Sequence, residues 1–189
     1  MSYTKIDLCS RALVKLGANP IASFNEATAE AKVCTQLYEP TVESLLAAYP
    51  WRFALEKVGL AKLVSAPTAD YQYAYQLPND CVRVLSAGNG LKSQGLKYKI
   101  IGNTLHTNAE QVVISYISRP DESAFPPFFS NALIARLGAE LCLPLTESTT
   151  RTDYMYNRAE EELKAAKLTD SQQDIPACFQ DFSLIEVRE

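Results

Sequence analysis

Residues 4–16 place Ile6, Leu8, Cys9, Ala12, Leu13 and Leu16 at helical spacing, which predicts an amphipathic helix. Thr4 and Asp7 stand three residues apart, as in a capping box. Gly17 supplies a stop and Pro20 follows it. A second helix is predicted from near Ser23–Glu26, again spaced like a capping box. Its apolar positions are Ala27, Ala31, Cys34, Leu37, Tyr38, Val42, Leu45 and Leu46. Pro40 falls inside this pattern and predicts a kink or a break, because it removes one donor and crowds the preceding turn. Pro50 closes the segment.

From Trp51 the period becomes two. Trp51, Phe53 and Leu55 alternate with Arg52, Ala54 and Glu56. Tyr71, Tyr73 and Tyr75 alternate with Gln72, Ala74 and Gln76, which puts three tyrosines on one face of a strand. Val82, Val84 and Leu85 follow a turn at Pro78-Asn79-Asp80. Lys97–Ile101 and Thr104–Thr107 flank Gly102-Asn103, a short hairpin signal, and Val112–Ile117 reads as the last strand. About five or six strands in this stretch predict an antiparallel sheet inserted between helical pieces.

Helices then resume. Pro126-Pro127 mark the junction, and Phe128, Phe129, Ala132, Leu133, Ala135, Leu137, Leu141 and Leu143 predict a helix buried on most faces. Its apolar run, Ala132–Leu145, is broken by Arg136, Glu140 and Pro144 and reads as too short and too polar to span a bilayer. A last helix is predicted from Thr152 to Lys167, with Glu160, Glu161, Glu162 and Lys164 on its wet face. Beyond Leu168 the pattern is lost. Thr169–Ile175 is polar, Pro176 interrupts, and Phe179, Phe182, Leu184, Ile185 and Val187 follow. The predicted class is therefore α+β. Residues 1–50 and 125–168 form a bundle of about four helices, 51–124 an inserted antiparallel β region, and 169–189 an extended C-terminal arm.

Composition adds little to this picture. With 47% hydrophobic and 21% charged residues, the chain has the content of a folded protein and is not wholly disordered. A net charge of −4 excludes a strongly basic polyanion binder. The distribution is more informative. Residues 169–189 hold five acids against one base, a net of −4, so residues 1–168 sum to zero. Residues 81–119 hold Arg83, Lys92, Lys97, Lys99 and Arg119 against Glu110. The middle is locally basic and the tail locally acidic. No signal-peptide pattern opens the chain, and the expected compartment is a reducing cytoplasm.

Candidate chemistry is sparse. Cys9, Cys34, Cys81, Cys142 and Cys178 are dispersed, with no paired spacing for zinc or a disulfide framework, and at least four of them read as small buried apolar residues. The single histidine, His106, sits beside the predicted hairpin turn without a nucleophile motif. No phosphate-binding glycine loop occurs. Glu160, Glu161 and Glu162 point around a helix and cannot share a metal. No catalytic residue, metal ligand or cofactor is expected. Tyr71, Tyr73 and Tyr75 fit cross-strand packing or an interface, and alternatively a platform for stacked bases. Trp51 and Phe53 fit packing or an interface. Phe179, Phe182, Leu184, Ile185 and Val187 form a candidate interface on the arm.

Several phrases occur in an order that resembles one family. They are Trp51-Arg52-Phe53-Ala54-Leu55 with Leu60-Ala61, the run Tyr71 to Val84 through Leu77-Pro78-Asn79-Asp80, and then Tyr116. Phe125-Pro126-Pro127-Phe128-Phe129, Ala132-Leu133 and Leu143-Pro144-Leu145-Thr146 complete the set. Across residues 3–168 the chain resembles the head-to-tail adaptor proteins of tailed bacteriophages, similar to the tail tubular protein A of short-tailed phages and to prophage and gene-transfer-particle adaptors. The resemblance implies a helical bundle with an inserted β region. It implies a ring, about twelve copies round, seated beneath the portal protein. Such a ring extends the DNA channel and gives a platform to the next tail component. DNA is then only passing cargo, no membrane is involved, and the location is the virion's head-tail junction after assembly in the host cytoplasm. Two other readings stay open: a single-stranded nucleic-acid-binding module using the Tyr71/Tyr73/Tyr75 face, and a small cysteine hydrolase.

Overall fold

The computed structural model describes residues 3–65, 67, 70–89 and 94–173. Helix α1 (Lys5–Lys15) opens on the predicted capping box. The Asp7 amide donates to Thr4 Oγ1 at 3.2 Å and the Thr4 amide to Asp7 Oδ2 at 2.9 Å. It closes at Gly17, whose φ of 71° is one that L side chains rarely adopt. There the Gly17 amide donates to the Val14 carbonyl and the Ala18 amide to Leu13, each at 3.0 Å, which caps the last carbonyls.

Helix α2 (Ala29–Ala48) begins later than predicted, with Thr28 as its cap. The Ser23–Glu26 spacing makes its hydrogen bonds without a helix. Glu26 Oε1 accepts from the amides of Ala22 and Ser23 at 2.8 and 2.9 Å and closes a turn in the connecting loop. Pro40 does not break α2, which runs through it. Pro40 and Gln36, whose carbonyl loses its donor, both lie on the exposed face, where the lost bond costs less than it would in the core.

Trp51–Leu55 is not a strand at its start. Arg52–Ala54 forms a 3₁₀ turn in which the Ala54 amide donates to the Trp51 carbonyl at 3.2 Å. The turn puts Trp51 and Ala54 together in the core and leaves Leu55 38% exposed. Six strands follow: β1 (Leu55–Gly59), β2 (Tyr73–Gln76), β3 (Cys81–Gly88), β4 (Lys99–Ile101), β5 (Thr104–Thr107) and β6 (Val113–Ser118). They form two antiparallel sheets, not one, in the orders β1-β6-β3 and β2-β5-β4. The first pairs sequence-distant strands, with Leu55 opposite Ile117 and Gly59 opposite Val113. The second contains the predicted hairpin. Gly102, at φ 58°, takes the first loop position, where a type II′ turn requires glycine. Tyr75, Leu77, Leu105, Val112, Ile114 and Tyr116 form a core for the β region, separate from that of the helices.

Helix α3 (Pro127–Thr146) is the axis of the bundle and packs against α1, α2 and α4 (Thr149–Ser171). Phe129, Leu133, Leu137 and Leu141 are wholly buried along it. By length and composition α3 is long and apolar enough to cross a membrane, contrary to the expectation from its interrupted run, because the helix is longer than the run itself. Most of it is buried by the other helices, as in the core of a helical bundle. Gly138 permits the close approach of α4: a Cβ there would lie 3.1 Å from Met155 Cε.

Helix α4 exceeds its prediction at both ends. Ser148 caps it, and it continues through Asp170 to Ser171. Thr169, Asp170 and Ser171 therefore belong to the bundle and not to an arm. Phe179, Phe182, Leu184, Ile185 and Val187 lie outside the described residues.

Candidate functional site

Trp51 and Phe53 sit where bundle meets sheet. The indole is wholly buried and donates through Nε1 to the Leu45 carbonyl at 2.8 Å. Around it stand Tyr49 at 5.0 Å between ring centroids, Phe129 at 5.1 Å and Phe53 at 6.1 Å. Phe53 in turn meets Phe129 at 4.8 Å, and Phe125 meets Phe129 at 4.9 Å. Edge-on and tilted contacts of this kind add to area burial. Both residues are part of this packing, and Trp51 offers no surface to a partner.

Asp170 was not legible as part of this junction. Its carboxylate is fully buried and accepts from the Arg52 amide through both oxygens, at 3.3 and 3.2 Å. Burial pushes its pKa up, against the opposing hydrogen bond and charge of Arg52. The last turn of α4 is thus pinned to the chain just before β1.

The tyrosine face is only partly formed. Tyr73 and Tyr75 lie on β2, but Tyr71 precedes the strand. Tyr75 is 1% exposed, and its hydroxyl donates to the Ala109 carbonyl at 2.6 Å. Tyr73 has the Lys62 ammonium 3.5 Å from its ring centroid. Bases cannot stack on a ring that the protein already covers, so the three tyrosines do not make a common platform.

The densest polar network joins α1, α2 and the exit from β6. Arg119 donates through Nε to Glu39 at 2.7 Å and through a terminal nitrogen to Glu122 at 2.6 Å, and it also reaches the Pro120 carbonyl. Lys5 adds a second cation, 3.5 Å from Glu39, and the Tyr38 hydroxyl donates to Glu122 at 3.1 Å. Burial alone would raise the Glu39 and Glu122 carboxyls. Arg119 overrides it and holds both below the usual range. Burial, with Glu122, pushes the Tyr38 phenol up. Arg83 is likewise engaged, donating to the Ala47 carbonyl at 2.7 Å. Two of the five bases of the basic middle therefore bind the protein itself.

Cys9, Cys34 and Cys142 are buried as predicted, whereas Cys81 is half-buried on β3; Cys178 lies outside the described residues. The Cys34 thiol and burial push Cys9 up, and burial with Asp80 pushes Cys81 up, both away from the thiolate. The His106 ring bonds to Thr104 Oγ1 at 3.0 Å. A shallow depression of about 440 Å³ beside Cys81 is lined by Glu43, Asn79, Asp80, Val82 and Arg119. Among the described residues, no three His, Cys, Asp or Glu side chains converge to hold a metal. No protein-family model matches the chain, and no curated protein matches it.

Proposed function

We propose that this protein is a structural head-to-tail adaptor of a tailed bacteriophage. In this reading copies of it form a ring, about twelve round, under the portal, extend the DNA channel and offer a docking platform to a tail component. The observation that carries the proposal is the ordered set of phrases from Trp51 to Thr146, together with the architecture in which they occur. An α+β chain with a four-helix bundle interrupted by a β region is the arrangement that the resemblance implies. The phrases also fall at structurally demanding places. Trp51-Arg52-Phe53-Ala54-Leu55 is the bundle-to-sheet junction, and Phe125-Pro126-Pro127-Phe128-Phe129 returns the chain to the bundle against the same aromatic cluster. On this reading the protein acts by shape and contact and not by catalysis.

The test is electron microscopy of the protein mixed with its portal. A ring of adaptor density beneath the portal supports the reading. Its absence at saturating protein refutes it, and salt-dependent binding of single-stranded DNA by the isolated chain would then favour the nucleic-acid-binding reading.

A further inference from the structure

The β2-β5-β4 sheet has one covered edge and one open edge. Outside β2, the Leu63 amide donates to Ala74 at 2.8 Å and the Gln76 amide to Ala61 at 3.3 Å. Outside β4, among the described residues, no strand pairs. All three β4 residues are exposed, and two are apolar: Ile100 at 43% and Ile101 at 48%. In a two-residue hairpin the flanking pair, here Ile101 and Thr104, exchanges ladder bonds. The alternation of an antiparallel ladder then turns the amide and carbonyl of Ile100 outward, to the open edge. An apolar strand edge of this kind is a template for another strand.

The chain itself contains a complementary segment. Beyond Gln173 it has 16 residues, with four acids and one base, a net of −3. Phe182 and Leu184, then Ile185 and Val187, are spaced two apart, as in a strand. Fully extended, the segment reaches about 53 Å, far longer than β4. Lys97 and Lys99 flank and occupy the open edge, and β4 carries no acid. The first sheet has edges at β1 and β3. Strand β1 includes Glu56, and β3 already receives the Leu96 amide at its Ala87 carbonyl and has its one base, Arg83, engaged by Ala47, so both suit an acidic segment less well.

We propose that residues 174–189 of one copy add as a strand to the open edge of β4 on the next copy. This rests on the ring reading above. Segment and edge are different surfaces, so their contact is head-to-tail, and repeating it closes a ring where the rotation permits.

The test uses the full chain in isotopically light and heavy forms, mixed at high concentration and treated with a carbodiimide. This reagent joins carboxylates to lysines in direct contact. Expected are heavy–light links from Asp181, Glu186 or Glu189 to Lys97 or Lys99. Ile100→Pro removes the outward donor, and Ile101→Asp sets an acid against the acidic segment while keeping both lysines. Each variant should lower the yield about tenfold. The helical signal of each variant, measured by circular dichroism, separates this loss from misfolding. Links confined to light–light and heavy–heavy pairs, no links at these lysines, or links that survive both substitutions in folded protein overturn the proposal. Absence of a ring on the portal would retire the adaptor reading without removing these links, so the two failures are distinct.

Discussion

Replacing Trp51 with alanine tests the junction directly. The indole is wholly buried and surrounded by aromatic rings, and truncating such a side chain costs about 3–5 kcal/mol. The same change deprives the Leu45 carbonyl of its donor at 2.8 Å, and a buried acceptor left alone costs about 1–3 kcal/mol. The two terms overlap, so the expected total is about 4–5 kcal/mol. Trp51→Phe separates them. It keeps a ring in the cluster and loses the donor, for an expected cost of about 1–3 kcal/mol. Domains of this kind have about 5–15 kcal/mol in all, so Trp51→Ala brings the fold near its limit. Urea unfolding followed by far-ultraviolet circular dichroism is the suitable assay, because the substitution removes the only tryptophan. At a urea slope of about 2 kcal/mol/M, a loss of about 4 kcal/mol lowers the midpoint by about 2 M. A loss below about 1 kcal/mol for Trp51→Ala would refute the burial argument. Equal costs for the two variants would refute the division between volume and donor.

Three further expectations concern charge and backbone. Asp170 has a raised folded pKa, so its favourable contribution is complete below the unfolded carboxylate value of about 3.9 and is lost as pH rises through the folded value. Asp170→Asn should therefore gain stability at pH 7, whereas Asp170→Ala, which removes the acceptor of the Arg52 amide, should lose about 1–2 kcal/mol; denaturant midpoints read both. By the same logic a chain ending at residue 173 should melt like the full protein, and one ending at 169 should melt lower. Glu39 and Glu122 have lowered folded pKa values, so their stabilisation is present above about pH 4.3 and is lost as pH falls through the folded values. Arg119→Met leaves burial opposed mainly by Lys5, and a pH series of melting temperatures should then show the variant losing less stability on acidification than the parent. Glu147 caps α3 at a φ of 53°, and Glu147→Gly should stabilise by about 0.5–1 kcal/mol in the same unfolding assay.

What could be read from the sequence was local. The caps of α1 and the Gly102-Asn103 hairpin follow from residues a few positions apart, where backbone sterics and short hydrogen bonds decide the outcome. The bundle's apolar stripes were legible for the same reason. Pairing was not. One sheet was expected, but β1 finds its partner at β6, across most of the β region, and no short-range spacing records that choice. Arg119 meets Glu39 across 80 residues, and no short-range spacing marks that ion pair. Asp170 was assigned to the acidic arm by composition, which counts charges but does not see that α4 has another turn to bury. The alternation at Trp51–Leu55 misled because a 3₁₀ turn also returns Trp51 and Ala54 to one side. Of the kink or break expected at Pro40, the break does not occur, and the pattern could not show that Pro40 and Gln36 both lie on the exposed face of α2.

The β1–β6 pairing also governs the route by which the bundle assembles. Helices α2 and α3 lie side by side but are separated in the chain by everything from Tyr49 to Pro126. Joining them across an unstructured loop of roughly 80 residues costs about 4 kcal/mol of chain entropy. Once Leu55 lies opposite Ile117, the β region is a closed unit, and only roughly 15 residues of slack remain between the helices. The closure cost falls by about 1.5 kcal/mol, more than tenfold in the equilibrium for docking the two helices. If β1–β6 pairs before the helices dock, mutations that weaken it should slow folding of the bundle even though they touch none of its helices, and if it pairs afterwards they should mainly speed unfolding; refolding and unfolding rates of such variants tell which.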